Sequence, residues 1–241
     1  MTARIRQTVS LVLDVDPGHI QEAVNAIVYD YDFACGASAT VQLKADEYHD
    51  QVTIASEIAP HVLTIRGASS VHPEYTLWAV SGSTAQTLVS ATDGGRAVLA
   101  DLELGSYVAG STLLAAFQEG TFDVENVMIG SCEGGVAFKT GRGGKINFTG
   151  PVMLYGNAAT IAQAQGGTIE MSNVPIDLRA SINFDQFVAV DFGGAINRAN
   201  GFSGIPAGGK QYTVGPGGIL RSNGIQLPGN LAGTNDRGVV Y

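Results

Sequence analysis

Residues 143–165, GGKINFTGPVMLYGNAATIAQAQ, are followed by residues 166–190, GGTIEMSNVPIDLRASINFDQFVAV, and the second segment repeats the design of the first. Gly143-Gly144 recurs as Gly166-Gly167, 23 residues later. At this offset further residues align: Ile146 with Ile169, Phe148 with Met171, Ile161 with Phe184, Ala164 with Phe187 and, after a slip of one residue, Val152 with Val174. Short strands and glycine turns that repeat every ~20 to 25 residues, with no room for a helix, predict a solenoid of stacked coils.

The alternation within each segment explains why one coil is not stable alone. In residues 145–149, Ile146 and Phe148 lie on one face and the polar residues on the other. A second coil stacked about 4.8 Å away pairs the backbone groups and extends the apolar face into a column. We therefore predict an all-β fold, a parallel β-helix, and expect it to be right-handed because parallel crossovers almost always are. An antiparallel sandwich is the alternative, which the repeat disfavours.

The composition favours one large core and a surface poor in charge. The chain has 241 residues, of which 45% are hydrophobic, 15% are charged and 32 are glycine. Its net charge of −9 disfavours nucleic acid and anionic membranes as partners, because phosphate binding depends on clusters of Lys and Arg. We expect neutral or cationic partners.

The cysteines and the N-terminal segment carry no recognisable signal. Cys35 and Cys132 have neither CxxC spacing nor a histidine at ligand distance in sequence, so we expect buried thiols, no metal and no cofactor. Polar residues interrupt MTARIRQTVSLVLDV, and no small-residue cleavage site follows, which predicts the absence of a signal peptide. No apolar run reaches the roughly 18 residues of a membrane-spanning helix, so we expect no membrane insertion.

One segment near the N-terminus has helical periodicity. A strand is predicted at residues 8–15, and Asp16-Pro17-Gly18 then provides an N-cap with proline at the first helical position. An apolar stripe with helical spacing follows, before Gly36. Its members are Ile20, Ala23, Val24, Ile27, Val28 and Tyr31. We predict a single helix over residues 17–31 that caps the open end of the solenoid, where an uncovered coil would expose its strands.

Residues 39–67 resemble the first coils of pectin-lyase-like β-helices. Short strands are predicted around residues 41–43, 52–54 and 63–65. In that family an N-terminal helix is commonly followed by a strand, a tyrosine-bearing turn, another strand and an I-x-G corner. Asp46-Glu47-Tyr48 and Ile65-Arg66-Gly67 match the turn and the corner. The resemblance implies that the β-helix begins near residue 39.

Residues 75–130 continue the strand pattern. Residues 99–104 align with residues 124–129 at an offset of 25, which places Leu102 with Val127 and Leu104 with Ile129. Strands are predicted at residues 76–80, 86–90, 97–104, 108–117 and 124–129. Residues 111–117, STLLAAF, could instead form a helical turn, because a short apolar run cannot be assigned by its period alone.

Residues 192–241 have short strand-like pieces broken by glycine and proline. Residues 209–214 and 218–220 predict a terminal hairpin. Residues 227–234 form a PG-x-x-AGT turn, and Gly238–Tyr241 follows it. Together with the coils from residue 143, this end resembles the C-terminal ends of bacteriophage tail-fibre and tail-spike proteins, in which a β-helix gives way to a strand, such a turn and a glycine-tyrosine tail. Val239-Val240 stand where that family usually has Gly-Gly.

The same C-terminal segment predicts an assembly. Its apolar residues need a cover: Val214, Ile219, Leu220, Ile225, Leu227, Leu231, Val239 and Val240. Burial among themselves would only balance the entropy lost on ordering, whereas burial against two further copies around a three-fold axis would stabilise them. We therefore predict a parallel homotrimer held together by residues 209–241.

Two carboxylate pairs are the candidates for catalysis. Polysaccharide-cleaving β-helices use a carboxylic acid and a carboxylate on one sheet. Asp101 and Glu103, at i and i+2, are expected on one side of a strand, as are Asp123 and Glu125. An offset of 22 would stack all four, but the offset of 25 places Asn126 over Asp101 and Met128 over Glu103. We assign no catalytic residue; if the protein is an enzyme, Asp101 and Glu103 are the candidates, and a solvated coil surface is the other interpretation.

Aromatic and histidine side chains near the coils give a second set of candidates. Trp78, Tyr75 and Tyr107 could stack on a saccharide, or pack against coil edges or a neighbouring subunit. His49, His61 and His72 lie near predicted turns, and we expect them to be solvated.

The resemblance implies the functional expectation. We predict a structural fibre or spike component of a phage or phage-like particle, made in the bacterial cytoplasm and located in the virion. Its expected partners are itself, other virion proteins and a host surface glycan. The alternative is a tail-spike depolymerase, a lyase or glycosidase that cuts such a polysaccharide. The predicted parts are residues 1–38, the β-helix at 39–191 and the assembly segment at 192–241.

Overall fold

The computed structural model describes residues 5–7, 10–33, 37–55, 63–172, 174–179, 182–198, 201–204 and 207–241. In this part of the chain the fold is all-β, with 25 strands, one α-helix and one 3-10 helix. The first elements are β1 (Ile5–Gln7), β2 (Leu11–Val15), α1 (Ile20–Asp30), β3 (Tyr31–Phe33), β4 (Ala39–Leu43), β5 (Glu47–Tyr48), β6 (Val52–Ala55), β7 (Leu63–Arg66), the 3-10 helix (Pro73–Tyr75), β8 (Leu77–Val80) and β9 (Thr87–Thr92). They are followed by β10 (Arg96–Ser106), β11 (Thr112–Ala116), β12 (Thr121–Ile129), β13 (Cys132–Gly141), β14 (Lys145–Phe148), β15 (Val152–Leu154), β16 (Ala158–Gln165) and β17 (Thr168–Glu170). The last are β18 (Ile176–Leu178), β19 (Asn183–Asp191), β20 (Ala195–Asn197), β21 (Phe202–Gly204), β22 (Gly208–Val214), β23 (Ile219–Arg221), β24 (Thr234–Asn235) and β25 (Val239–Val240).

The strands form a parallel β-solenoid of about eight turns, which confirms the predicted fold class. A complete turn contributes one strand to each of three parallel sheets. Sheet A contains β2, β4, β7, the first halves of β10 and β12, β14, β17, β20, β23 and β25. Sheet B contains β5, β8, the second halves of β10 and β12, β15, β18 and β21. Sheet C contains β6, β9, β11, β13, β16, β19, β22 and β24, and β1 pairs with β3 in a separate sheet.

The core is a set of apolar columns that run along the solenoid axis. One column of sheet A passes from strand to strand in register through Ala39, Leu63, Ala97, Phe122, Ile146, Ile169, Ile196, Leu220 and Val240. All of these residues except Val240 are buried. The continuity arises because each strand turns alternate side chains inward and the next coil supplies their neighbours.

The glycine pairs stand at the corner between sheets C and A. Gly143 has a left-handed backbone (φ 80°), which glycine adopts without steric cost. A Cβ on Gly144 would lie 2.0 Å from the carbonyl oxygen of Ala116 in the preceding coil, so only glycine fits. At the corresponding positions of other coils a Cβ would lie between 2.0 and 2.6 Å from a backbone oxygen of the neighbouring coil; these are Gly95, Gly120, Gly167, Gly194 and Gly218. The repeated Gly-Gly thus marks a corner where the backbones of successive coils are in contact.

The predicted registers are confirmed between β14 and β17 and between β10 and β12, and are wrong between β15 and β18 and between β16 and β19. Ile146 pairs with Ile169, and Leu99, Leu102 and Leu104 pair with their predicted partners 25 residues later. In sheet B, Val152 pairs with Ile176 instead of Val174. In sheet C, Ala158 pairs with Phe184 and Ala164 with Val190, whereas Ile161 was predicted opposite Phe184 and Ala164 opposite Phe187. The coil length therefore differs between sheets. Residues 111–117 contain strand β11.

Helix α1 begins three residues later than predicted and ends at Asp30. The carboxylate of Asp50, from the next coil, accepts hydrogen bonds from the amides of Gly18 (2.9 Å) and Ile20 (3.1 Å), so Asp50 occupies the role predicted for Asp16. The apolar face is buried through Ile20, Val24, Ile27 and Val28. The helix packs near β2, β4 and β6. Gly36 lies outside the described residues.

The C-terminal residues continue the solenoid instead of forming a hairpin. Strand β22 pairs in parallel with β19 and β24 in sheet C, while β23 pairs with β20 and β25 in sheet A. The predicted hairpin is therefore wrong. Val214, Leu220 and Leu227 are buried in the chain's own core, so they need no second copy to cover them. Leu231 and Val239 are exposed.

Arg198, after β20, is buried without a carboxylate partner in the described residues. Its guanidinium donates hydrogen bonds to the backbone oxygens of Met171, Val174 (2.9 Å) and Gly201, and it lies 4.6 Å from the centre of the Phe202 ring. Arg198 therefore joins the corners of two successive coils through their carbonyl groups.

Candidate functional site

The outer face of sheet B carries a column of side chains that changes character along the axis. The residues in register are Glu47, Leu77, Glu103, Met128, Met153, Asp177 and Ser203. Because successive residues of a strand alternate between the faces, one outward residue from each strand falls in line with the next. The middle of the sheet thus presents two methionines between carboxyl-bearing residues.

Residues 67–76, called the groove wall here, stand beside this column. Asn126 on β12 donates a hydrogen bond of 2.7 Å to the carbonyl oxygen of Ser70. At the base of the wall, the Thr76 hydroxyl accepts from the amide of Ala68 (2.9 Å) and donates to the carbonyl oxygen of Lys44 (3.0 Å). These bonds attach the wall to the preceding coil and to the following one, so its position relative to sheet B is fixed.

The wall and the outer face of sheet B enclose a groove of about 650 Å³. Its apolar lining comes from methionine, proline and valine side chains, and its polar lining from charged and amide groups. The lining residues are Val71, His72, Pro73, Glu74, Asn126, Met128, Pro151, Val152, Met153, Pro175, Asp177, Arg179 and Ser203. A groove of this size and mixed lining is typical of ligand sites.

The ionisable groups of the groove are arranged in two pairs. His72 Nδ1 lies 3.1 Å from Glu74 Oε1, and Arg179 Nε lies 2.6 Å from Asp177 Oδ2. A backbone hydrogen bond at Glu74 itself, followed by the hydrogen bond with His72, lowers the pKa of Glu74. The charge of Arg179 contributes to this lowering. Glu74 is therefore ionised at neutral pH.

Glu103 lies beside the groove, one coil from Met128, and is paired with Tyr155. The Tyr155 hydroxyl donates a hydrogen bond to Glu103 Oε1. Burial raises the pKa of Glu103, the hydrogen bond from Tyr155 opposes that rise, and the charge of Glu74 adds to it. Burial and the contact with Glu103 raise the pKa of Tyr155. A Cβ on Gly130 would lie 2.9 Å from Glu103 Oε1, so glycine leaves room for this pair.

Asp101 does not form the predicted same-side pair with Glu103. Its backbone is left-handed (φ 57°), and strand β10 passes from sheet A to sheet B at this residue, so the alternation that relates i to i+2 is broken. Asp101 is buried, and its carboxylate contacts Arg66 Nε (3.1 Å) and Asn126 Nδ2 (2.7 Å). The expected offset of 25 is confirmed, because Glu103 pairs with Met128. Asp101 therefore holds the bend, and of the two only Glu103 lies on the outer face of sheet B in register with the groove residue Met128.

The second carboxylate pair, Asp123 and Glu125, is not among the described residues that line the groove. Asp123 lies opposite Val98 in sheet A and forms a 2.9 Å ion pair with Arg96. Its other oxygen accepts a hydrogen bond of 2.8 Å from Asn147 in the next coil. Glu125 is exposed. The four carboxylates that an offset of 22 residues would have stacked therefore do not form one column.

The three predicted sugar-stacking rings lie in different environments. Trp78 is 0% exposed, in the core of sheet B, and its Nε1 donates to the carbonyl oxygen of Asp50 (2.7 Å), so its ring is not available to a ligand. Tyr75 is 54% exposed and stacks on His72 at the groove wall, with 4.8 Å between ring centres. Tyr107 is 67% exposed and contacts His49 edge-on. Only Tyr75 is adjacent to a residue that lines the groove.

The remaining candidates supply no further site. Cys132 is buried, burial raises its pKa to about 12, and its thiol contacts the carbonyl oxygen of Ser111. His72 lines the groove instead of being merely solvated, and His49 contacts the carbonyl oxygen of Ala79. Cys35 and His61 lie outside the described residues. Within the described ranges, no three His, Cys, Asp or Glu side chains are placed to hold a metal ion.

The chain is a β-solenoid with a lateral groove, and comparison with known proteins does not assign it to a family. No protein-family model matches it, and neither the curated proteins nor the solved structures contain a match. No helix in the described part of the chain has the length and apolar character of a membrane span. The groove is therefore the feature from which a function can be inferred.

Most residues of the groove were not predicted from the sequence. Glu74 lies in the wall itself, whereas Met153, Asp177 and Arg179 follow the wall by up to about one hundred residues, so their proximity depends on coil stacking and none of the four was a candidate. One signal was present: the offset of 25 placed Met128 beside Glu103.

Proposed function

We propose that the chain is a polysaccharide-binding β-solenoid of the fibre or spike type, which holds a glycan in the groove on sheet B. The observation that carries this proposal is the groove itself, with a floor of Met128 and Met153 and fixed polar groups at its sides. Sugars present both apolar C–H surfaces and hydroxyl groups. A surface that combines apolar floor with oriented donors and acceptors is complementary to both.

The groove extends along the solenoid axis. Met128, Met153 and Asp177 come from three successive coils, which at a strand spacing of about 4.8 Å span roughly 10 Å. An open channel with repeated positions is suited to a polymer that continues beyond the site, because the chain can enter and leave at its two ends. The net charge of −9 favours a ligand without strong negative charge.

The resemblance to phage fibres and spikes supports the rest of the proposal: a right-handed solenoid in the virion, capped by α1, attached to other virion proteins and bound to a host surface glycan. Assembly as a homotrimer is part of it. Fewer residues support it than the sequence indicated, because among the large apolar residues of 209–241 only Leu231, Val239 and Tyr241 are exposed. Sedimentation of the full chain is the test, and a monomer at micromolar concentration would contradict the trimer.

A binding experiment tests the groove. The full chain is incubated with host capsule or lipopolysaccharide, and affinity is measured for the parent and two variants of the same coil. Met153→Asp places a charge on the groove floor, while Gln163→Asp places it on sheet C, where Gln163 is partly exposed. We expect at least about tenfold weaker binding for Met153→Asp and unchanged binding for Gln163→Asp. Absence of glycan binding, or equal effects of the two variants, would overturn the proposal.

A second function is favoured by one observation. Glu103, whose pKa is raised by burial, and the ionised Glu74 are close enough for their charges to interact, and glycoside cleavage requires a proton donor and a carboxylate. A depolymerase would release new reducing ends or unsaturated termini from the host polysaccharide. This activity should disappear in Glu103→Gln; if the oligosaccharides persist in an Asp101→Asn, Glu103→Gln double variant, cleavage takes place elsewhere.

A further inference from the structure

We propose that the groove selects an uncharged sugar that bears a methyl group, in an N-acetylamino or 6-deoxy sugar, over a uronic acid or other anionic sugar. This inference rests on the proposed function, because it names the class of glycan that the same groove binds. Two features of the groove lead to it, the distribution of charge and the nature of the apolar floor.

The charge of the groove disfavours anionic sugars. Two carboxylates, those of Glu74 and Asp177, line it. The Arg179 guanidinium, the one Lys or Arg group among the described lining residues, is already paired with Asp177 at 2.6 Å. An anionic ligand would have to approach both carboxylates and compete with Asp177 for this cation. Like charges brought together in a partly desolvated groove repel, which is how a site rejects a wrong ligand.

The floor is apolar but not aromatic. No Trp, Tyr or Phe is among the described residues that line the groove, so the floor offers no broad ring on which a flat sugar face can stack. Met128 and Met153 are instead flanked by Pro151 and Pro175. Methionine is flexible and polarisable, and its side chain adapts to small apolar groups such as a methyl. The methyl of an acetamido group or of C6 in a 6-deoxy sugar is therefore the part of a glycan that this floor can bury.

Matched ligands separate the two sources of the methyl group. Tetra-N-acetylchitotetraose and cellotetraose differ by an acetamido group in place of a hydroxyl at C2. Methyl α-L-rhamnoside and methyl α-L-mannoside differ by a methyl group in place of hydroxymethyl at C5. Tetragalacturonate supplies the anionic sugar. Each is titrated into the full chain, and saturation-transfer NMR reports which ligand protons lie against the protein.

We expect tetra-N-acetylchitotetraose or methyl α-L-rhamnoside, the methyl-bearing ligands, to bind about fivefold or more tightly than its matched partner. The strongest saturation should fall on the protons of the acetamido methyl or of the C6 methyl, respectively. Tetragalacturonate should bind most weakly. Asp177→Asn should improve its binding several-fold, while Asp185→Asn, an exposed carboxylate on sheet C, should leave it unchanged.

The outcomes distinguish this inference from the function on which it rests. Equal or tighter binding of cellotetraose, methyl α-L-mannoside or tetragalacturonate, relative to the methyl-bearing ligands, would overturn the inference while the groove remained a glycan site. Binding of host polysaccharide by the groove with no detectable binding of either methyl-bearing ligand would overturn it as well. Failure of host polysaccharide and of all five ligands to bind would overturn both.

Discussion

Asn126 lies one coil beyond Asp101, and its side-chain amide donates a hydrogen bond of 2.7 Å to Asp101 Oδ1. Both residues have left-handed backbones, with φ values of 52° and 57°. The same amide group also bonds the carbonyl oxygen of Ser70 at 2.7 Å. One side chain therefore links the bend between sheets A and B to the wall of the groove.

The first prediction concerns this link. Asn126→Ala removes both hydrogen bonds and places alanine in a left-handed conformation, so we expect the free energy of unfolding to fall by about 2 to 4 kcal/mol. Asn126→Gly keeps the backbone conformation accessible and should cost less. Chemical denaturation measures both. If the two variants are equally stable, the left-handed conformation at this bend is not costly.

The second prediction concerns the corner glycines. Gly144→Ala should prevent correct stacking, because its Cβ would lie 2.0 Å from the backbone oxygen of Ala116, and backbone cannot yield as a side chain does. Gly201→Ala is the control, since no atom of the described residues, apart from its chain neighbours, lies within 4 Å of the Cβ position there. Soluble yield and thermal midpoint are the measurements. Normal stability of Gly144→Ala would show that the corner is looser than the structure indicates.

The third prediction concerns pH. The folded-state pKa of Glu103 lies above its ordinary value of 4.5 because of burial. The folded protein therefore holds this proton more tightly, and the stability it contributes is complete below pH 4.5 and is lost as the pH rises through the folded-state pKa. Glu103→Gln mimics the protonated form, so its thermal midpoint should rise relative to the parent as the pH increases from about 4 to 8.

The control for this pH experiment is Glu125→Gln, which removes one negative charge from an exposed position on the neighbouring strand. The difference in thermal midpoint between Glu125→Gln and the parent should not increase with pH as it does for Glu103→Gln. The effect of burial at Glu103 would be contradicted if the difference in thermal midpoint between Glu103→Gln and the parent stayed constant or became smaller with rising pH.

The fourth prediction concerns Arg198. Arg198→Met leaves the carbonyl oxygens of Met171, Val174 and Gly201 without their donor. We expect a loss of about 2 to 4 kcal/mol, since the relief from burying a cation offsets only part of that cost. Arg221→Met, an exposed arginine of sheet A, is the matched control and should change stability by less than about 1 kcal/mol. Comparable losses in both variants would argue against a special role for Arg198.

The sequence predicts the fold better than the groove, for a physical reason. The alternation of Leu102 and Leu104, which pair with residues 25 positions later, and the Gly143-Gly144 corner are local signals, and each was interpreted correctly. The register opposite Phe184 depends on the length of the connection between sheets B and C, which carries no apolar period, and that prediction was wrong. The residues next to Trp78 in the sequence do not determine whether its ring lies inside the solenoid or on its surface. The proximity of Glu74 to Asp177 follows only from coil stacking.

The column of corner glycines also makes one turn of the solenoid a unit of construction. Each coil runs from one corner glycine pair to the next. It adds one residue to an inward column of sheet A and one residue to the outward column of sheet B. Duplicating residues 143–165 would therefore add a whole turn without shifting the register on either side, and would lengthen the outer face of sheet B by about 4.8 Å. The length of the outer face of sheet B can thus be set in discrete steps by gene duplication or design.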